Sequence, residues 1–146
     1  MVERVNHFLR ITVMIHPEEI FTDQVLQTLF PPERSNDFFE ALFGDANEGA
    51  YDIKLQFDGY DSSNQTLNFL LDLHERPGRC LACNLTYGLP EVFSRHPVIN
   101  IHGLVKDVEK LLENKAHCKE WHLGHTIQKE RSRHSIPLRI QVQQIQ

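Results

Sequence analysis

The residues of this chain best equipped for chemistry are three cysteines and nine histidines. Cys80 and Cys83 form a Cys-x-x-Cys in the stretch Arg76-Pro77-Gly78-Arg79-Cys80-Leu81-Ala82-Cys83-Asn84, just behind a Pro-Gly turn. Such a pair can clamp a soft metal, cycle between dithiol and disulfide, or place two small apolar side chains in a core, the commonest use. A second cluster, His117, Cys118, His122 and His125, follows later in the chain. Cys80, Cys83 and Cys118 with the imidazole of His122 would fill a tetrahedral zinc sphere, although Cys118-x-x-x-His122 only approximates the paired half of known zinc spacings. If residues 118 to 122 are extended, Cys118 and His122 share parity and converge, while His117 and His125 turn away. Thiol redox chemistry prefers a strand feeding directly into a helix N-terminus, whereas Asn84 to Gly88 reads as an intervening extended piece. Arg76 and Arg79 either lower a thiol pKa or are solvated turn residues.

Other chemistry has no visible centre. The chain contains no Gly-x-Ser-x-Gly elbow, phosphate-binding glycine loop, His-Glu-x-x-His or EF-hand loop, so no catalytic residue is assigned. Glu18-Glu19 reads as helix-start charge rather than as an acid and base pair. The cluster Lys129, Arg131, Arg133 and His134 reads as a solvated connection, with a phosphate or nucleic-acid contact as the alternative.

These residues must be positioned by elements that the patterning outlines. Pro17 opens a first helix with Phe21, Val25, Leu26 and Leu29 on one face, ended by Pro31-Pro32. A second helix carries the aromatic stripe Phe38, Phe39, Leu42 and Phe43, capped by Gly44, and reads as core or as a partner groove. The period then changes to two. Tyr51, Ile53, Leu55 and Phe57, followed after a turn by Leu67, Phe69, Leu71 and Leu73, predict an antiparallel hairpin. Cys80 to Tyr87 reads as a short extended piece, and Gly88-Leu89-Pro90-Glu91 as the start of a short helix reaching Arg95. A longer helix follows, with Leu104, Val105, Val108, Leu111 and Leu112 on one face and Asn100 as its cap. Trp121 to Ile127 and Ile136 to Val142 alternate as a closing hairpin joined by Gln128 to Arg133.

Runs of adjacent strands rather than strict alternation with helices predict an α+β fold, with an antiparallel sheet of about four or five strands and helices on one face. The length of 146 residues suits one domain spanning 1–146, with residues 1–13 as a poorly ordered extension and Met14 as an alternative start. With 40% hydrophobic residues and nine phenylalanines the chain can build a core, which excludes a disordered class. The net charge of −5 supplies no global attraction for nucleic acid or anionic lipid. No apolar run reaches the roughly 20 residues that cross a bilayer, and Glu3, Asn6, His7 and Arg10 interrupt any signal-peptide core. A cytoplasmic location is expected, where thiols stay reduced.

The runs Phe38-Phe39-Glu40-Ala41-Leu42-Phe43-Gly44-Asp45, Gly49-Ala50-Tyr51-Asp52-Ile53, Cys80-Leu81-Ala82-Cys83-Asn84-Leu85-Thr86-Tyr87-Gly88-Leu89-Pro90 and His134-Ser135-Ile136-Pro137-Leu138 resemble a small family of uncharacterised bacterial proteins sometimes labelled pancreas/duodenum homeobox protein. The resemblance covers about residues 14 to 142 and implies no activity. A homeodomain needs a basic recognition helix, whereas this chain is acidic and its Leu104 to Leu112 helix is charge-balanced. The functional expectation is a non-catalytic binding or scaffold domain acting through a protein partner or as a homo-oligomer. The alternatives are a zinc-binding or thiol-redox protein using Cys80, Cys83 and Cys118, with zinc or another soft-ligand metal as its cofactor, and a weak nucleic-acid binder.

Overall fold

Alternation of period two builds the sheet. The computed structural model describes residues 16–45, 49–79 and 83–145, with only the backbone of 83–85. In it Tyr51–Asp61 (β1) and Thr66–Glu75 (β2) form the expected antiparallel hairpin, Ile53 opposite Leu73 and Leu55 opposite Leu71. Arg133–Gln144 (β5) pairs with the other side of β2, setting Ile136, Leu138 and Ile140 beside Leu71, Phe69 and Leu67. Ala116–Leu123 (β3) and Ile127–Glu130 (β4) follow one another along the far side of β5. The fold is α+β with a five-stranded antiparallel sheet in the order β1-β2-β5-β3, β4 prolonging the β3 edge.

One face of the sheet carries the apolar row of every long strand, and the helices bury their apolar residues against it. Pro17–Ile20 (α1), Asp23–Leu29 (α2) and Glu33–Phe43 (α3) lie by β1, and Cys83–Arg95 (α4) and Ile101–Leu111 (α5) lie by β3. Phe38, Phe93, Leu67 and Ile136 are fully excluded from solvent. Gly44 ends α3 in the left-handed conformation at φ 81°, as its position after the stripe predicts. Asn100 caps α5 as expected, its Oδ1 accepting the Gly103 N–H at 3.1 Å. Any Cβ at position 103 would run into that asparagine side chain.

Several expectations are corrected. The helix opened by Pro17 is broken at Phe21, because Thr22 adopts an extended backbone and caps α2 by accepting the Val25 N–H at 3.3 Å. Phe21 drops from that break onto the rings of Phe57 and Phe69. The aromatic stripe divides: Phe38 and Phe39 are core, while Leu42 and Phe43 are about 40% exposed. From Cys83 onward the piece read as extended is helix, since Thr86, Leu89 and Phe93 recur at helical spacing on the buried side; residues 80–82 lie outside the described ones. Pro90 stands inside α4 without breaking it. Its missing N–H would have met the Thr86 carbonyl, which instead accepts from the Thr126 hydroxyl at 3.0 Å. Finally, the strand from Trp121 stops at Leu123, and Gln128 to Glu130, read as connection, belongs to β4.

Candidate functional site

The metal hypothesis requires Cys118 and His122 to converge, and a bulge in β3 sets them apart. Between Cys118 opposite Val142 and Trp121 opposite Ile140, three steps of β3 run against two of β5. The extra residue resets parity, so Cys118, Trp121 and Leu123 lean on the core while His122 is exposed, its Nε2 3.8 Å from Glu120. Burial, and then the nearby Glu109 carboxylate, push the Cys118 thiol up to about 12, which keeps it protonated at neutral pH. Cys80 and the Cys83 side chain lie outside the described residues. Among the described residues no three His, Cys, Asp or Glu side chains gather as a metal site. The backbone nevertheless alters the redox argument, because residues 84–88 lie within α4 and no extended piece follows Cys83. One turn further on, the exposed Tyr87 meets His134 ring to ring at 6.0 Å, and His134 Nδ1 is buried with no hydrogen-bond partner among the described residues.

Three of the arginines are engaged with acidic or amide partners. Arg76 bonds Asp52 at 3.1 Å and Asn36 at 2.7 Å, Arg95 pairs with Glu91 at 3.2 Å, and Arg133 divides between Asp72 at 3.5 Å and Glu130 at 3.3 Å.

What the sequence did not disclose is the condition of the sheet edges. An edge strand offers unpaired N–H and carbonyl groups, a template for another chain unless something covers it. At β1 the Ser35 hydroxyl accepts the Ile53 N–H at 2.9 Å and donates to the Ile53 carbonyl at 3.4 Å. At β3 the Glu109 carboxylate accepts the Cys118 N–H at 2.7 Å. Past the bulge no other described strand pairs with the outer side of β3. The Val142 N–H turns toward β2, meeting the Gln65 carbonyl, while the Pro137 carbonyl turns toward β3, meeting the Gly124 N–H. By the alternation of an antiparallel ladder, Leu138 and Ile140 also point to β2, so the opposed Leu123 and Trp121 turn their main-chain groups outward.

Two clefts flank this stretch and share Trp121. One, of about 570 Å³, lies between α5 and β3, with Val105, Cys118 and Trp121 in its wall and Lys106 and Lys119 at its rim. The other, of about 510 Å³, lies between α4 and the end of β3, with Tyr87, Pro90, Trp121 and Leu123 in its wall. Trp121 is the chain's single tryptophan, half-buried with one side on the core. A tryptophan among histidines and charges on a strand was the available sequence signal. Its meaning depended on which strand became the edge. No family model, curated protein or solved structure matches this chain.

Proposed function

We propose that this chain is a non-catalytic binding domain that captures an extended segment of a partner protein along the outer edge of β3. The observation that carries this reading is the outward-turned main chain of Trp121 and Leu123 between two clefts. Strand addition takes its affinity from such main-chain groups and its specificity from flanking pockets. The reading suits a cytoplasmic protein, and among the described residues no helix is long and apolar enough to cross a membrane. Panning a library of extended peptides tests it. Binders are expected to change Trp121 fluorescence and to be lost in Leu123→Pro, which removes an outward N–H without removing a ladder bond. Recovery of no peptide, or of peptides indifferent to that change in a folded variant, overturns the reading.

A second reading, thiol or zinc chemistry at Cys80 and Cys83, is favoured by the helical backbone of residues 83–88, since low-pKa Cys-x-x-Cys pairs sit where the chain leads directly into a helix. Thiol titration near pH 7 and zinc content of protein purified without a metal-affinity tag test it. Ordinary thiol reactivity with substoichiometric zinc removes it.

A further inference from the structure

The strand-addition reading leaves the identity of the added strand open, and the distribution of charge along the sheet narrows it. The cleft between α5 and β3 is lined by Lys106 and Lys119 and by Glu109 and Glu120, two of each sign. The chain's negative charge is concentrated elsewhere: residues 16–61, which supply α1, α2, α3 and β1, hold eleven Asp and Glu against Arg34 and Lys54 alone. β1 and β3 are opposite borders of the sheet. Two copies meeting at their β1 borders would bring like charge together, whereas two meeting at β3 join balanced surfaces and leave the acidic borders at the far ends. Resting on the reading above, we infer that the strand added at β3 is β3 of a second copy, paired antiparallel about a two-fold axis.

The ladder sets the register. Trp121 and Leu123 turn their main-chain groups outward, and an antiparallel partner exchanges both bonds with such residues. Trp121 opposite the copy's Leu123 uses both residues of each copy, while an axis through either would set the other against the bulge or past the end of β3. The axis then passes by His122, which faces its own image at the narrow spacing of about 4.5 Å between Cα atoms. Glu120, 3.8 Å from His122 on the same exposed side, lies opposite the copy's Gly124, where no side chain stands in its way, and diagonal to the copy's His122. On the other side Leu123 meets the copy's Trp121 at the cleft that also holds Tyr87 and Pro90, and the axis makes this contact twice.

Sedimentation of the intact protein over a wide concentration range tests this. An equilibrium of monomer and dimer is expected, with Trp121 fluorescence moving to the blue as the dimer forms. His122→Glu and His122→Lys, both at an exposed position, each place like charges face to face across the axis and are expected to weaken the dimer about tenfold or more. An equimolar mixture of the two variants sets opposite charges across the axis and should restore it. Peptide binding is measured where the monomer prevails. A native protein that stays monomeric while panned peptides bind overturns the second copy and leaves strand addition standing; one that stays monomeric and binds no peptide overturns both. Dimers indifferent to both exchanges overturn the axis at His122, and species larger than a dimer overturn the closed pairing in favour of head-to-tail contact between β3 and β1.

Discussion

At the β1 edge the Ser35 hydroxyl holds both the N–H and the carbonyl of Ile53, whereas at the β3 edge the Glu109 carboxylate holds only the N–H of Cys118. Ser35 is buried and neutral, and comes from α3, whose Phe38 and Phe39 are fully enclosed. Glu109 is partly exposed, charged, and raises the pKa of the thiol beside it. Beyond Ile53, β1 borders a cleft of only about 270 Å³, with Asp23 and Lys54 among its lining. Beyond Cys118, β3 opens onto roughly twice that space on either side of a tryptophan. The first edge is clasped at Ile53, on both main-chain groups, by a helix that belongs to the core. The second is clasped at Cys118 on one group only, and beyond that point it is bulged and borders larger clefts.

Removing each clasp should sharpen that contrast. Ser35→Ala leaves two buried main-chain groups of Ile53 without a partner and is expected to cost about 1 to 3 kcal/mol in denaturant unfolding. It should also promote self-association through β1, seen by sedimentation; an unchanged unfolding midpoint would show that water replaces the hydroxyl. Glu109→Gln keeps an acceptor for the Cys118 N–H and should cost less, about 0.5 to 1 kcal/mol. The two sites stand on opposite edges, three strand spacings or about 14 Å apart. Their effects should therefore add to within about 0.5 kcal/mol, and a larger coupling would mean that the edges communicate through the core.

The smallest effect concerns Cys118. Its native pKa lies above the ordinary thiol value, so between pH 9 and about 12 the native state holds a proton that the unfolded chain has lost. Its contribution is thus complete below about pH 9 and is lost as pH rises toward 12, shallowly because the site is partly open to solvent. Compared with Cys118→Ala, the native protein should lose relative stability over that window. In Cys80→Ser/Cys83→Ser the remaining thiol should alkylate far more slowly than a free cysteine at pH 8. Rapid alkylation would place Cys118 outside the core shelter described above.

The hairpin of Tyr51, Ile53 and Leu55 against Leu67 to Leu73 and the α5 face were legible because period two and period 3.6 show whenever one face is buried and the other wet. The start of α4 was not. Alternation over Cys83, Leu85 and Tyr87 imitates a short strand, and Pro90 suggests a boundary where Thr126 in fact supplies the missing bond from a distant part of the chain. The candidate site was the least legible part. A bulge is one extra residue with no composition of its own, yet it decides that Cys118 and His122 part company. Which strand becomes an edge is a property of pairing order, which no local pattern records.

That order also bears on how the chain comes into being. β5, the latest of the described strands to leave the ribosome, occupies an interior place between β2 and the β3 edge. Until residues 133–144 emerge, β2 presents an unpaired border along Leu67, Phe69, Leu71 and Leu73, and β3 has nothing to join. Sheet completion therefore waits for the last of the described strands, and the nascent hairpin must be shielded meanwhile, by a chaperone or by speed.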